Sequence, residues 1–439
     1  MLPGAFSIAA LARLFIPNQA DYVVLQAPMS AARRCFIAVA AWFGAQVSLG
    51  LLGCEPTNST TKVSGPNSGV PAQGSKSAFS AFTTTWAAET RSPRDTNAPN
   101  SLEALQVRCG RADASLAKVA GQLLALPGFG VDFNDIDLVG FAMRSAGVPY
   151  VWPRAWSVTV PANSETMIAQ RFDAWLQSFN DGGQRRCGLS SELNRVAAVA
   201  VDVLADVVLP LPTQARTGQW LELRARLLEP ASDAKVLLEG PTGEPVFVPA
   251  TLDASEVRSR FPLASPGQWL VQVMATMQTG PRPVAEATIF VDQTPSRHPD
   301  STPAPGESAK GRGSDIAGSL FAMLNQARLE EGRKALVRDP QLDRLAAEHA
   351  RTMQEAGHVG HDVGDGSPKL RLESAGIFAS LAGENVVHAA DAQRAHRALW
   401  ASPSHRTNIL HRGFRNVGLG AFVGPDRTIW ACELFATLD

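Results

Sequence analysis

The segments GENVVH, from Gly383 to His388, and SPSHRTNIL, from Ser402 to Leu410, are the centre of a motif-rich C-terminal third. LNQARLEEGRKAL from Leu324 and GHVGHDVGDGSPKLRLESAG from Gly357 precede them, and FRNVGLGAF from Phe414 and IWACELFA from Ile429 follow. Seven of the eight histidines lie in this third, so the sequence predicts that any functional site of the chain is here.

Composition defines the broad class of protein. With 439 residues, 45% of them hydrophobic, the chain is long enough for about two or three hydrophobic cores. A formal net charge of -1 gives no electrostatic basis for binding a phosphate backbone. We therefore predict a folded multidomain α+β protein with no nucleic-acid partner.

The joint order of LNxxR, the histidine-containing segment, GEN, SPxHRxNIL, VGLG and a closing W-x-x-x-x-F strand resembles the bacterial branch of the CAP superfamily. This family of cysteine-rich secretory, antigen 5 and pathogenesis-related 1 proteins is also called the SCP family. The resemblance covers residues 316 to 437. It implies an α-β-α sandwich with an open central cleft, in a family whose members bind lipids, sterols, glycans or protein partners.

The resemblance also assigns the cleft residues. It makes His361 and His405 the two cavity histidines and Glu384 the cavity glutamate, with Asn385 placed to hydrogen-bond a backbone segment. His361 lies beyond a helix end, in a Gly-rich turn. His405 lies on the first turn of a helix that Ser402 is expected to cap.

Two imidazoles and one carboxylate on separate segments are a donor set for a divalent cation such as Zn²⁺. The predicted metal ligands are therefore His361, Glu384 and His405. Many relatives supply a second glutamate just before the second histidine, where this chain has Pro403. Two alternatives stay open, namely a zinc site and a hydrogen-bonded network without an ion.

Three classes of function follow. The first is a binding module whose cleft takes a lipid, glycan or protein ligand, and the second is an envelope protein of structural or interaction type with a vestigial cleft. The third is a metal-assisted hydrolase with Glu384 as general base. No serine or cysteine nucleophile with a neighbouring base is visible, so the sequence favours binding over catalysis.

The remaining histidines and two arginines are interpreted as structural. His349 falls on the apolar face of a predicted helix, which indicates a satisfied interior histidine. His358 is predicted in a loop, and His388, His396 and His411 at the surface or on a helix face. Arg371, which follows SPKL, is expected to tie down the turn, and Arg406 to pair with a carboxylate or a helix end.

The N-terminus predicts export. Arg33–Arg34 precede the apolar run 35–52 and then Gly53-Cys54, as in a signal sequence. LLGC resembles a bacterial lipoprotein cleavage box, which would make Cys54 the lipidated residue and tether the protein to a membrane. An uncleaved transmembrane anchor is the alternative. On this interpretation, residues 1–54 are an N-terminal extension followed by a signal sequence. Either Met1 or Met29 is the first residue that is translated.

Cysteine usage agrees with an oxidising compartment. We expect Cys109 to pair with Cys187, and Cys432 to be a buried free thiol in a strand. The alternative is that all three are unpaired structural thiols.

The rest of the chain is divided by composition and periodicity. Alternating apolar and polar residues between turn signals predict an immunoglobulin-like β-sandwich. The predicted segments are a disordered stalk over 55–100, an α+β domain over 101–210, the sandwich over 211–293, a linker over 294–313 and the CAP domain over 314–439.

The 101–210 segment is similar in local sequence to the C-terminal third at three positions. Their separations range from 225 to 229 residues, which favours a duplicated domain, and the pairs are Leu116 with Leu342, Gly147 with Gly376, and Trp175 with Trp400. The segment contains no histidine. It is therefore interpreted either as a degenerate CAP-like copy or as an unrelated α+β domain.

The lipoprotein hypothesis predicts that the protein incorporates labelled palmitate when it is expressed in a bacterium, and that Cys54→Ser abolishes the label. Labelling that persists in Cys54→Ser would contradict the assignment, as would a parent protein that never acquires label.

Overall fold

The computed structural model describes residues 85–86, 100–125, 136–159, 165–180, 182–278, 280–296, 302–309, 311 and 315–438. The predicted signal with Cys54, and His298 of the linker, lie outside these residues. Within the described ranges, no helix has the length and hydropathy needed to cross a bilayer. The predicted stalk is wrong at one point, because Thr85–Trp86 (β1) forms a strand that pairs with residues 211–212.

The N-terminal domain, from residue 100 to 203, combines helices with one four-stranded sheet. In chain order its elements are Asn100–Arg108 (α1), Arg111–Ala112 (β2), Ala114–Leu124 (α2), Ile136–Ala146 (α3), Arg154–Thr159 (β3), Glu165–Gln177 (α4), Gln184–Glu192 (β4) and Arg195–Val203 (β5). The strand order is β2-β4-β5-β3. A disulfide joins Cys109 to Cys187, as predicted, and Cys432 is a buried free cysteine.

The β domain, from residue 205 to 291, consists of strands. They are Ala205–Leu209 (β6), Leu211–Pro212 (β7), Gln214–Ala215 (β8), Trp220–Leu227 (β9), Asp233–Glu239 (β10), Val246–Val248 (β11), Ala250–Asp253 (β12), Glu256–Pro262 (β13), Gly267–Met277 (β14) and Gly280–Val291 (β15). One sheet has the order β11-β10-β14-β15-β8 and the other β12-β13-β9-β6, with a shared apolar core. The domain begins at β6, before the predicted boundary, because β6 pairs with β9.

The C-terminal domain, from residue 302 to 438, places a four-stranded sheet between helices. Its elements are a 3₁₀ turn at Glu307–Ala309, then Ile316–Glu330 (α5), Val337–Arg338 (β16), Pro340–Ala356 (α6), Pro368–Ser374 (α7), Ala379–Ala389 (β17), Ala392–Ala401 (α8), Pro403–Leu410 (α9), Asn416–Val423 (β18) and Ile429–Leu438 (β19). The strand order is β16-β18-β19-β17. Separate apolar clusters cover the two faces, with α6 and α7 on one and α5, α8 and α9 on the other. This is the expected α-β-α sandwich.

Local sequence determines the ends of α6, the helix that precedes the loop of His361. Asp339 caps α6 by accepting hydrogen bonds from two backbone amides, and Pro340 occupies its first turn. Gly357 ends the helix with φ 71°, a conformation that glycine adopts without strain. Gly418 lets α6 approach β18 closely, because a Cβ there would lie 2.1 Å from the carbonyl carbon of Leu342.

The predicted linker is wrong in its second half. Residues 302–309 pack on the C-terminal domain, where the Glu307 carboxylate is buried and accepts a hydrogen bond from Ala304 N at 2.8 Å. Arg397 forms an ion pair with Glu307, and the backbone carbonyl of Pro305 contacts His396. The charge of Arg397 stabilises the buried carboxylate, so this part of the segment has a defined place.

The N-terminal and C-terminal domains share a pattern of elements. In both, a helix is followed by a short parallel edge strand, an Asp-capped helix and another helix. A second edge strand, one or two further helices and a final hairpin come next, and both sheets have the same strand order. Asp113 N donates to Cys187 O at 2.9 Å, and Asp339 N donates to Val417 O at 3.0 Å. The strand registers place Ala155 where the C-terminal sheet has Glu384.

The close contact at Gly418 predicts that Gly418→Ala lowers the free energy of unfolding by about 1–3 kcal/mol, because α6 must move off the sheet. Urea denaturation measures the change. Gly140→Ala is the control, since a Cβ there meets only the end of the Arg144 side chain, at 3.3 Å, and alanine favours the helix. Equal stability of the parent and Gly418→Ala would contradict the packing argument.

Candidate functional site

Glu384 is the buried centre of the predicted cleft. It lies in the middle of the edge strand β17, and its side chain is 0% exposed. One carboxylate oxygen is 2.9 Å from His361 Nδ1, and the other forms an ion pair with Arg371. Burial raises the pKa of Glu384, but the hydrogen bond from His361 and the charge of Arg371 outweigh it and lower the pKa to about 2.

Arg371 connects three parts of the site. Besides pairing with Glu384, its guanidinium donates to His361 O at 2.9 Å and to the backbone carbonyl of Gly366. The loop between α6 and α7 is thereby fixed to β17. The expectation that Arg371 holds this turn is confirmed, and its pairing with the cleft glutamate is a contact that sequence reasoning missed.

His361 reaches the site from the loop after α6, with a side chain that is 13% exposed. It approaches the β domain closely, because a Cβ on Gly280 would lie 3.0 Å from the Cβ of His361. The structure therefore brings His361 and Glu384 into direct contact, beside the hairpin between β14 and β15.

His405 lies on the first turn of α9, as predicted. Its Nδ1 is buried and has no hydrogen-bond partner within the described part of the chain. Burial, and secondarily the charge of His361, lower the pKa of His405 to about 3. The ring is therefore neutral near neutral pH.

A second buried network lies beside the first and includes a carboxylate that sequence reasoning missed. Asn385 Nδ2 donates to His405 O at 3.2 Å, as expected of a backbone clamp, and to Glu433 Oε2 at 3.0 Å. Asn408 Nδ2 donates to Asn385 Oδ1 at 3.0 Å. Burial raises the pKa of Glu433 to about 7. The sequence feature that could have indicated this carboxylate is an acidic residue, Glu433, within the apolar strand IWACELFA.

The other histidines are mostly structural. His349 is buried, as predicted, with Nδ1 2.7 Å from Asp365 Oδ2 and Nε2 2.9 Å from Gly360 O. His388 stacks on Trp430 with ring centroids 4.0 Å apart. Of the two predicted places, surface or helix face, His396 has the second: it lies on α8 and is fully buried, with Nε2 2.8 Å from Pro305 O.

The start of α9 also differs from prediction. Ser402 is the N-cap residue but makes no side-chain capping bond; its hydroxyl is 3.1 Å from Ser404 Oγ. Gln272 of the β domain accepts a hydrogen bond from Ser404 N at 3.2 Å. Arg406 pairs with Glu239, also in the β domain, and donates to Trp400 O at 2.7 Å. Arg406 therefore contacts both of its predicted partners, a carboxylate and the end of a helix.

A cavity of about 380 Å³ lies where the three domains meet. The C-terminal domain contributes His361, Glu384 and His405 to its wall. The β domain and the N-terminal domain supply the rest, including Arg282 and Trp152. The predicted cleft is therefore a chamber shared between domains, which is a fact of tertiary structure that the motifs do not encode.

The donor atoms do not fit the predicted zinc site formed by His361, Glu384 and His405. Among the residues that the structure describes, no three His, Cys, Asp or Glu side chains are grouped to hold a metal ion. Both oxygens of Glu384 are already engaged, one by His361 and the other by the cation Arg371. The arrangement corresponds to the alternative of a hydrogen-bonded network.

Comparison with known families agrees with this geometry. Residues 321–434 match the model of the cysteine-rich secretory protein family, CAP. The C-terminal domain is a CAP domain. The match includes all three predicted cleft residues and Arg371, and it ends within β19.

Solved structures similar to this chain include an outer surface protein of Borrelia burgdorferi, with 19% identity, a TM-score of 0.27, and coverage of 29% of this chain and 95% of that one. An extracellular protein with an SCP domain from Bacillus anthracis has 17% identity and a TM-score of 0.26, covering 51% and 87%. A cysteine-rich secretory protein of Staphylococcus aureus has 11% identity and a TM-score of 0.24, covering 58% and 84%. No curated protein matches the chain.

The buried pair in the CAP domain predicts that Glu384→Gln lowers the free energy of unfolding by about 3–5 kcal/mol at pH 7, because Arg371 loses its countercharge. The lowered pKa of Glu384 determines how this difference in unfolding free energy depends on pH. Its stabilisation is present above the unfolded-state pKa near 4.5 and is lost as the pH falls towards 2, so the difference between parent and variant shrinks over that window.

Urea denaturation at a series of pH values measures this difference. Glu373→Gln is the matched control on the neighbouring helix, since its pair with Lys369 is about half exposed and contributes at most about 1 kcal/mol. A parent-to-variant difference that does not change between pH 7 and pH 3 would contradict the assigned role of the pair.

Proposed function

We propose that this chain is an exported, membrane-tethered protein of the bacterial cell envelope whose CAP domain binds a ligand in the chamber beside His361, Glu384 and His405. The observation that supports this most is the cavity of about 380 Å³, a volume typical of small-molecule sites, with His361, Glu384 and His405 among its lining residues.

Export is supported by two independent features. The arginines, apolar run and LLGC box before Cys54 are typical of a lipoprotein signal. The disulfide between Cys109 and Cys187 is the kind of bond that persists in an oxidising compartment. A lipid on Cys54 would provide the membrane tether.

We further propose that the N-terminal domain is a degenerate CAP-like copy and that the β domain is immunoglobulin-like. The shared strand order, the equivalent Asp caps and the equivalent edge-strand bonds support the first assignment. Ala155 replaces the site glutamate in that copy, so its role is packing and presentation. Two antiparallel sheets around one core support the second assignment.

Hydrolysis is less well supported than binding. A general base works best with a pKa near the operating pH, whereas the pKa of Glu384 is about 2 and its carboxylate is held by Arg371. The structural alternative, a vestigial cleft, predicts instead that nothing occupies the chamber.

Native mass spectrometry of the purified full chain tests ligand binding. We expect a bound small molecule as a mass addition, which Thr276→Trp removes because residue 276 lines the chamber. Thr251→Trp is the control, since Thr251 is exposed on the other sheet of the same domain. A parent protein without a mass addition, or the same addition in both variants, would contradict the proposed function.

A further inference from the structure

Polar side chains of the β domain reach across its contact with the CAP domain. Gln272 accepts a hydrogen bond from Ser404 N at 3.2 Å, and Glu239 forms an ion pair with Arg406. Glu244 pairs with two arginines of the CAP domain. We call Gln272, Glu239 and Glu244, with these partners, the latch.

The buried apolar clusters do not cross this contact. Among the described residues, one cluster is formed by buried side chains from 204–291 and two by buried side chains from 304–436, and none combines the β and CAP domains. Domains that do not share a large apolar interface are expected to move relative to each other. The β and CAP domains can therefore separate without opening either core.

The contact between the N-terminal domain and the β domain is of a different kind. Trp152 packs against the core of the β domain, and Leu228 packs against the core of the N-terminal domain. The guanidinium of Arg282 lies 4.4 Å from the ring centre of Trp152, and Glu286 N donates to Pro149 O at 2.9 Å. These two domains therefore form one body, and the CAP domain forms the other.

The latch contacts the CAP domain at the cleft. Ser404 and Arg406, its partners on α9, flank His405 in the chain. Both bodies line the chamber, with His405 from the CAP domain and Leu270 from β14. Separation of the two bodies at the latch therefore opens the chamber beside its histidine.

The latch contributes little net stability. Burial raises the pKa of Glu239 to about 7, although the charge of Arg406 opposes this rise, and the charge of Glu286 adds to it. The attraction within a buried ion pair is largely offset by the cost of removing its charges from water. The Glu244 carboxylate is exposed, and exposed ion pairs contribute little. Contacts of this strength can form and break reversibly.

We infer that the N-terminal and β domains together are a lid that opens and closes over the CAP cleft, with Gln272, Glu239 and Glu244 as its latch. The inference adds the regulation of access to the proposed ligand-binding function, and it rests on that function for this role. The motion itself needs no ligand, so it is tested on the protein alone.

Distances between spin labels, measured by electron paramagnetic resonance on the purified full chain, test the lid. Labels at the exposed positions 251 and 355 report on the β and CAP domains, and labels at 251 and 193 report on the β and N-terminal domains. They are attached through an unnatural ketone amino acid, so the native cysteines are not modified. We expect a longer distance to grow in latch variants for the first pair only.

The latch variants are Glu239→Gln and Gln272→Ala. The first removes the countercharge of Arg406, which then gains solvation only when the lid opens, and the second removes the acceptor of Ser404 N. We expect each to raise the open fraction about tenfold, as the loss of one hydrogen bond or ion pair allows. Glu256→Gln is the matched control and is expected to have no effect, because Glu256 pairs with arginines on the other sheet of the β domain.

Hydrogen exchange at the Ser404 amide gives a second measure of opening. An amide in the first turn of a helix has no carbonyl acceptor within that helix, and here Gln272 Oε1 accepts its hydrogen bond. We expect Glu239→Gln to speed exchange at Ser404 about tenfold, although Gln272 is intact. Amides in the last turn of α9 are expected to keep the parent rate.

A distance between positions 251 and 355 that neither latch variant changes would overturn the inference. An equal change between positions 251 and 193 would also overturn it, because the N-terminal and β domains would then not move as one body. Faster exchange throughout α9 would indicate local unfolding in place of lid opening. These failures leave the ligand-binding function standing, whereas an empty chamber contradicts that function and leaves the lid standing.

Discussion

The ion pair between Glu384 and Arg371 is the interaction on which the site depends. A fully buried carboxylate on an edge strand is costly by itself, and the guanidinium and His361 offset that cost together. Because Arg371 also donates to two backbone carbonyls, the same pair defines the path of the loop after α6. The orientation of His361 towards the chamber follows from that path.

Close packing between helix and sheet is the second constraint, and both α+β domains meet it in the same way. Gly418 and Gly188 each allow a capped helix to lie against a strand, at positions where a Cβ would overlap helix backbone atoms. The domains differ in the residue that lies on the strand beside this helix–sheet contact. One places Glu384 on the edge strand next to the hairpin, and the other places Ala155 at the equivalent position.

The β domain changes the character of the CAP cleft. Gln272 and Glu239 contact α9 through Ser404 and Arg406, and Gly280 lies against His361. These contacts place a sheet over a cleft that would otherwise be open to solvent. The wall of the chamber therefore includes side chains of the β domain as well as those of the CAP domain.

The local sequence was sufficient for the elements that form by themselves. Asp339-Pro340 and Gly357 delimit α6, alternation predicts β9, and the order of motifs identified the CAP domain, because caps, periodicity and turn residues act over a few positions. It also indicated the pairing of Cys109 with Cys187 and the contact of His361 with Glu384.

Tertiary structure decided the rest. Only the packed chain shows that Arg371 pairs with Glu384, that Glu433 lies beside Asn385, and that His396 is buried under Pro305. Each of these depends on residues that are far apart in sequence, and neither periodicity nor capping carries information about such partners. The chamber is the clearest case, because the residues that line it come from separate domains whose contact no local pattern specifies.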